Sequence, residues 1–252
     1  AAALSVAPLL ARRQGRVPAV QVDRVLASRW FARTIQPQGW SLPPARDSVV
    51  GDYETRDGWI RLHTNAPHHR SAALRALGLD PHDRSISRET LAAVVQNMNA
   101  GDLETEVVAQ GGCAAQMRSA SAWLEHPQGR AVRAEPLLAI REFDTGAPRA
   151  DWPLEPEKPL RGIRVLDLTR ILAGPVATRF LAGYGAHVLR IDPLDWDEPG
   201  VVPEVSLGKQ RARLDLRSLD GVATFERLLS QADVLVHGYR SDALEKLGLG
   251  EQ

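Results

Sequence analysis

The sequence predicts an α/β protein, with a parallel sheet in residues 160–252 and a small α+β domain before it. Residues 163–168 are an apolar run with the length of a buried parallel strand, and residues 187–192 are a second one. Between them, Gly174 and Pro175 suit the start of a helix, and Gly183 and Gly185 suit its end. This β-α-β unit of about thirty residues predicts a right-handed crossover in a Rossmann-like sheet. A third parallel strand is expected at residues 233–237.

The composition limits the classes of function. The 252 residues include 31 basic and 31 acidic ones, so the formal net charge is zero, which argues against a protein that binds nucleic acid by neutralising phosphates. Cys113 is the only cysteine, which excludes a disulfide framework and a cysteine-based zinc site, and we expect its thiol to be inert. The histidine spacing matches no metal motif, so we expect no metal.

The sequence contains no apolar run of membrane length, and the charges of its first residues follow the apolar stretch instead of preceding it. We therefore expect neither a signal peptide nor a membrane span. We expect the protein to be cytoplasmic. The chain starts with Ala1 instead of a methionine. We expect it to be the cut or processed middle of a longer chain, so that its first residues already lie inside a helix.

Apolar spacing and turn residues predict the elements of residues 1–143. A helix over residues 20–35 should bury one apolar face, formed by Val22, Val25, Leu26, Trp30 and Phe31. Asp57-Gly58 supplies the turn of a hairpin. Further helices are expected at 67–77, 87–99 and 102–110, each with a suitable start or stop residue. Four prolines in residues 144–159 predict a linker, so the expected division is 1–143, 144–159 and 160–252.

The turn from Thr169 to Gly174 is the first candidate for function. It follows a parallel strand, and nucleotide ligands bind at the carboxyl ends of such strands. The dinucleotide motif G-x-G-x-x-G is absent, however, because the turn offers only Gly174. A Rossmann-like scaffold without a ligand therefore stays open as an alternative on this stretch alone.

Four linked stretches carry a resemblance to a known family. They are G-I-R-V-L-D-L-T-R-I-L-A-G-P with G-A-H-V-L-R-I-D-P, then G-K-Q-R-A-R-L-D-L, A-D-V-L-V-H-G-Y-R and E-K-L-G-L, ending at Leu249. In order and spacing they closely resemble the start of class III CoA-transferases, the CaiB/BaiF family, which includes α-methylacyl-CoA racemases. The resemblance implies that residues 160–252 are the first half of a Rossmann-like CoA-binding domain.

The first part of the chain resembles the small domain of the same family between Asp52 and Gln128, although Gln116-Met117 stands where P-V is usual. In the family the large domain comes first and the small domain follows, whereas here the order is reversed. Two explanations fit this order. Either the chain spans the junction of two fused family units, which we favour, or the protein is permuted.

The resemblance also implies a set of CoA-binding residues. Leu172 and Ala173 occupy the turn that meets the adenosine part of CoA, and transferases often have Gln where Leu172 stands. The remaining candidates are Arg190 and Lys209 for phosphate, and Tyr239 with Arg240 for adenine and phosphate.

Two departures from the family pattern stand near these residues. His237-Gly238 replaces the usual E-N, and Ser241-Asp242 replaces P-G. Asp242 adds a negative charge, which is unfavourable beside phosphates. For each candidate, a packing or surface role is the alternative.

In the family, an Asp carboxylate attacks an acyl-CoA thioester, giving a mixed anhydride and then an enzyme-CoA thioester. That Asp follows a glycine-rich stretch which the resemblance places beyond Gln252. We therefore assign no catalytic residue and expect no turnover by this chain alone. For Asp167, Asp192 and Asp215 we expect structural roles.

Three hypotheses about function remain open at this point. They are an acyl-CoA:carboxylate CoA-transferase, a 2-methylacyl-CoA racemase and a non-catalytic CoA-binding or scaffolding half. The first two imply acyl-CoA as the substrate, and the first adds a carboxylic acid; the third describes a half that binds CoA weakly or only supports a catalytic half. The resemblance also implies an interlocked homodimer or a pseudo-dimer within one chain.

Overall fold

The computed structural model describes residues 2–30, 35–44, 46–142, 152–196, 198–240 and 242–250. The chain divides into two compact units. We call Pro44–Gly146 the small unit, and we call the combination of Ala1–Pro43 with Ala147–Gln252 the sheet unit. This division differs from the expected one because residues 1–43 belong with the sheet. The linker predicted at 144–159 has no helix or strand over residues 152–159, and residues 143–151 lie outside the described part.

Two helices precede the small unit, α1 (Ala2–Gln14) and α2 (Arg24–Arg29). Leu9 of α1 packs against the core of the sheet unit, and the ring of Trp30 lies 5.0 Å from that of Phe180. The prediction of a helix over 20–35 was wrong at its start, since α2 begins at Arg24. The predicted burial of its apolar face was also wrong, because Val25 and Leu26 are more than 60% exposed. The helix begins at Arg24 and not at residue 20, because Asp23 caps its N-terminus by accepting hydrogen bonds from the backbone N–H groups of Val25 and Leu26. Phe31 lies outside the described residues.

The small unit contains a three-stranded antiparallel sheet of β1 (Gly51–Thr55), β2 (Gly58–Leu62) and β3 (Ala114–Gln116). The hairpin at Asp57-Gly58 is confirmed, whereas β3 was not predicted. Its helices are α3 (Pro67–Ala76), α4 (Arg88–Val95), α5 (Ala100–Ala109), α6 (Ala120–Glu125) and α7 (Pro127–Ala134). The buried core includes Ile60, Leu62, Leu74, Leu91 and Leu103.

Asp57 joins the hairpin to α5. Its Oδ1 accepts a hydrogen bond of 2.8 Å from the backbone N–H of Ala100 and one of 3.1 Å from Thr55 Oγ1. The bond from Ala100 is the main cause that lowers the pKa of the Asp57 carboxyl below its ordinary value. The turn residue therefore also satisfies a free N–H at the start of a helix.

The sheet unit is built on four parallel strands, β4 (Arg164–Leu168), β5 (His187–Asp192), β6 (Gln210–Arg213) and β7 (Val234–His237). Its helices are α8 (Ala173–Gly183), α9 (Val202–Val205) and α10 (Leu219–Leu229), with a 3-10 turn at Glu245–Leu247. The three predicted parallel strands are confirmed. β6 was missed because it is a polar edge strand whose four residues are all exposed.

Two kinds of feature are missing from the described residues. None of their helices is both long and apolar enough to cross a membrane. Within the same residues, no group of three or more His, Cys, Asp or Glu side chains is placed to hold a metal ion.

Candidate functional site

The strand order places a crevice at the carboxyl ends of β4 and β7. The order is β6-β5-β4-β7, so the chain runs outward from β4 through β5 to β6 and then returns to the other side of β4. This reversal is a topological switch point, which is where ligands bind in open parallel sheets. The register pairs Leu168 with His237, so the segments after these two residues emerge side by side.

One side of the crevice is the turn between β4 and α8, residues 169–172, which we call the β4–α8 turn. Leu172 lies there with φ 63° and ψ −89°, a conformation that bulky L residues rarely adopt, and its side chain is 71% exposed. Gly174 packs closely against Thr169: a Cβ atom added at Gly174 would lie only 2.2 Å from Thr169 Cγ2. The turn thus presents the exposed side chain of Leu172 and the start of α8, Ala173, at the carboxyl edge of the sheet.

The other side of the crevice is the segment after β7. Tyr239 is half-buried, and its ring stacks on that of His237 with centroids 6.4 Å apart. Arg240 follows as an exposed side chain. Asp242, the residue whose charge is unfavourable for phosphate, has its carboxylate 2.6 Å from Lys246 Nζ. That ion pair offsets the charge of Asp242 locally.

A buried ionic network lies below the β4–α8 turn. The Asp167 and Lys209 side chains are both 0% exposed, and Lys209 Nζ lies 2.8 Å from Asp167 Oδ2. Thr178 Oγ1 donates to the same oxygen at 2.7 Å, and Thr169 donates to Oδ1 from its backbone N–H at 2.9 Å and from its hydroxyl. Burial alone would raise the pKa of the Asp167 carboxyl, but the hydrogen bonds from Lys209, Thr169 and Thr178 outweigh it and hold the pKa low.

A second buried pair lies at the end of β5. Arg190 is fully buried, donates from Nε to Asp192 Oδ1 at 2.9 Å and lies with its guanidinium 4.8 Å from the ring centre of Trp196. Its Nη2 is 3.5 Å from the carbonyl oxygen of Arg170 in the β4–α8 turn. Arg211 reaches the other Asp192 oxygen at 3.1 Å.

The six residues predicted to contact CoA therefore fall into two groups. Leu172, Ala173, Tyr239 and Arg240 flank the switch point. Arg190 and Lys209 are buried and engaged in internal ion pairs, so neither is placed to meet a ligand at the surface in this structure. Contact of any of the six with CoA stays a prediction.

Comparison with known proteins identifies the sheet-forming segment. Residues 160–252 match the model of CoA-transferase family III. The family resemblance predicted from the sequence is confirmed for this segment. The match coincides with the part of the chain that carries all four parallel strands and the switch-point crevice.

The chain is also similar to curated relatives over longer or shorter ranges. It is 32% identical over 247 residues to an acyl-CoA transferase of Gibberella moniliformis, covering 92% of this chain and 43% of the relative. It is 35% identical over 127 residues to the succinyl-CoA:glutarate CoA-transferase of Mus musculus, covering 45% of this chain and 29% of the relative. The alpha-methylacyl-CoA racemase of Mus musculus is 37% identical over 95 residues, with coverage of 37% and 24%. The chain thus spans less than half the length of these relatives.

Sequence reasoning missed several members of the site in the family III segment. Thr169 and Thr178 were not singled out, although both hydroxyls bond to Asp167. Trp196, which covers the Arg190 guanidinium, was missed as well. One signal was present in the sequence: Asp167 interrupts an apolar strand, and a buried carboxylate requires hydrogen-bond donors and a cation.

Proposed function

We propose that this chain is part of an acyl-CoA:carboxylate CoA-transferase that moves CoA between carboxylic acids. The observation that carries the proposal is the match of residues 160–252 to CoA-transferase family III, over the segment that forms the switch-point crevice. Relatives named as CoA-transferases support the same reaction class.

In this proposal CoA lies across the carboxyl ends of β4 and β7. Leu172 and Ala173 contact the adenosine from one side, and Tyr239 offers a ring face from the other. Arg240 is an exposed cation at this edge, and its forked N–H donors suit a phosphate group. The pairing of Asp242 with Lys246 supports this placement because it leaves less uncompensated negative charge beside Arg240.

The chemical step is proposed to be covalent catalysis by an Asp carboxylate. Attack on the thioester carbonyl expels CoA as the thiolate and forms a mixed anhydride; the thiolate then attacks the enzyme acyl group, releasing the donor acid and leaving an enzyme-CoA thioester. Asp167 and Asp192 do not suit this role, since both are buried and hydrogen-bonded. We assign the nucleophile to no residue of this chain and expect no turnover from the 252 residues alone.

The order of the two parts is proposed to arise from fusion of two family units. The alignment with the Gibberella moniliformis relative extends over 247 residues and covers 43% of a longer chain, so the same order of parts occurs inside one longer protein. A pseudo-dimer within one chain, or an interlocked homodimer, would then complete the site.

A racemase is the second candidate, supported by 37% identity over 95 residues to an alpha-methylacyl-CoA racemase. Two assays on the longer protein that contains this chain separate the reactions. A transferase moves CoA from an acyl-CoA to an isotopically labelled carboxylic acid. A racemase instead exchanges the α-proton of a 2-methylacyl-CoA for deuterium in D₂O.

CoA binding is tested by titration calorimetry on the 252-residue chain. A charged hydrogen bond to phosphate contributes about 1.5–3 kcal/mol, so Arg240→Ala should weaken CoA binding by roughly tenfold or more. Arg161→Ala is the matched control, because Arg161 is an exposed arginine that precedes β4 and pairs with Glu155. Equal CoA affinities for both variants and the parent chain would show that Arg240 does not contact CoA. No binding by the parent chain would contradict CoA binding by these residues.

A further inference from the structure

We propose that Lys209 is a positioning residue that holds the β4–α8 turn in the conformation presented to CoA, and that it does not itself contact phosphate. The part of this inference that concerns CoA rests on the proposed function. The part that concerns the turn rests on the geometry of Lys209 and its neighbours alone.

The hydrogen bonds of Lys209 use the whole capacity of its ammonium group. Nζ lies 2.8 Å from Asp167 Oδ2, 2.6 Å from Thr178 Oγ1 and 3.0 Å from the carbonyl oxygen of Pro175. An ammonium group carries three N–H donors, and these three acceptors match them. A phosphate could be bound only if one of these bonds were broken inside a site that is 0% exposed.

The three acceptors lie on both ends of the β4–α8 turn. Asp167 is in β4, one residue before the strand ends, whereas Pro175 and Thr178 are in the first part of α8. Lys209 comes from a third place, the residue before β6, and is 42 positions away from Asp167. Its ammonium group therefore bridges the strand, the helix and the start of the edge strand.

The turn needs such a bridge because its backbone is strained. Leu172 has a positive φ of 63°, which persists in a bulky residue only where surrounding contacts fix it. Those contacts include the packing of Gly174 against Thr169 and the bonds from Thr169 to Asp167. Removing the Lys209 ammonium group would leave the Asp167 carboxylate buried without its cation, and the carboxylate would draw in water or move.

Substitution of Lys209 can separate positioning from phosphate contact. Lys209→Met should weaken binding of CoA by about tenfold, as expected when a contact surface is misplaced by a fraction of an ångström. It should weaken by the same factor, relative to the parent chain, the binding of dephospho-CoA, which lacks the 3′-phosphate, and of adenosine, which lacks every phosphate but keeps the group that the turn is proposed to contact. A loss that disappears with either analogue would show direct contact with a phosphate and overturn the proposal.

A second pair of variants keeps the test valid if Lys209→Met does not fold. Thr178→Val removes one acceptor of the Lys209 ammonium group with little change of shape, whereas Thr178→Ser retains the hydroxyl. Thr178→Val should reproduce a smaller, uniform loss for CoA and both analogues, and Thr178→Ser should match the parent chain. Equal affinities for the Val variant and the parent chain would count against the network.

Hydrogen exchange gives a measurement that does not depend on CoA. In Lys209→Met or Thr178→Val, backbone amides of residues 169–176 should exchange at least tenfold faster, while amides of β5 keep their protection. Uniformly faster exchange through β4 and β5 would indicate a general loss of stability and overturn the positioning role. If the parent chain bound no CoA, the proposed function would fail, yet the exchange data would still decide whether Lys209 orders the turn.

Discussion

The close packing of Gly174 against Thr169 gives the sharpest prediction for the β4–α8 turn. In Gly174→Ala, the new Cβ would lie 2.2 Å from Cγ2, 2.4 Å from Cβ and 2.8 Å from Oγ1 of Thr169. Thr169 cannot turn away freely, because it is 3% exposed and its hydroxyl is bonded to Asp167. The first turn of α8 must therefore shift.

The magnitude follows from two opposing effects. Overpacking of a tightly packed site costs about 1–3 kcal/mol, and replacing Gly by Ala in a helix returns up to about 1 kcal/mol. We expect Gly174→Ala to lower the free energy of unfolding of the sheet unit by about 1–2 kcal/mol on balance. Gly183→Ala is the matched control in the same helix, because the described residues leave a Cβ at that position nothing within 4 Å. It should raise the free energy of unfolding by about 0.5–1 kcal/mol.

The assay must report the sheet unit separately, since a chain with two compact units need not unfold in one step. Hydrogen exchange pulses at increasing urea, read by mass spectrometry on peptides from β4 and α8, give that midpoint. Gly174→Ala should unfold at lower urea than the parent chain, and Gly183→Ala at equal or higher urea. A Gly174→Ala midpoint at or above that of Gly183→Ala would refute the packing described for this turn.

Further predictions concern the small unit. The pKa of Asp57 is lowered by folding, so the contribution of this carboxylate to stability is fully present above its ordinary pKa of 3.8 and is lost as the pH falls through the folded-state pKa. Asp57→Asn should therefore flatten the acid dependence of the urea midpoint of this unit. An unchanged dependence would contradict the linkage. Tyr53 donates from its hydroxyl to the carbonyl of Val49 at 2.6 Å in a buried site, so Tyr53→Phe should cost about 1–2 kcal/mol of unfolding free energy in urea titrations. Leu103→Ala should cost about 2–5 kcal/mol because the side chain is 0% exposed, and Leu124→Ala, at 46% exposed, should cost less in the same titration; similar costs would refute the assigned core.

The sequence predicted the parts of the fold whose signal is local. Strands β4, β5 and β7 are short apolar runs, and Asp57-Gly58 is a residue pair that favours hairpin turns. Both features could therefore be predicted from residues adjacent in the sequence. β6 has no such signal, because Gln210–Arg213 forms an exposed edge and is a strand only through its pairing with β5. The burial predicted for α2 failed because it, too, depends on residues distant in the sequence. Its apolar spacing predicted burial, but helical spacing does not provide a surface to pack against, and Val25 and Leu26 remain exposed.

The candidate site shows a second limit of the sequence. The G-K motif predicted a cation near phosphate, and a positive side chain at the end of a parallel sheet is compatible with that function. Local sequence does not show which negative group is closest. The nearest carboxylate to Lys209 is that of Asp167, which is 42 residues away and is brought there by two crossovers of the sheet.

The burial of Asp167 narrows the choice between the candidate cations on physical grounds. A carboxylate inside an apolar strand is buried on at least one face, and a buried carboxylate costs several kcal/mol unless donors and a cation surround it. The cation must therefore have a buried side chain that reaches the Asp167 carboxylate. Lys209 meets this condition, because its Nζ lies 2.8 Å from Asp167 Oδ2 and its side chain is 0% exposed, whereas Arg240 is exposed. The buried Asp167 thus engages Lys209 in the interior, whereas Arg170 and Arg240 are exposed cations at the carboxyl edge of the sheet.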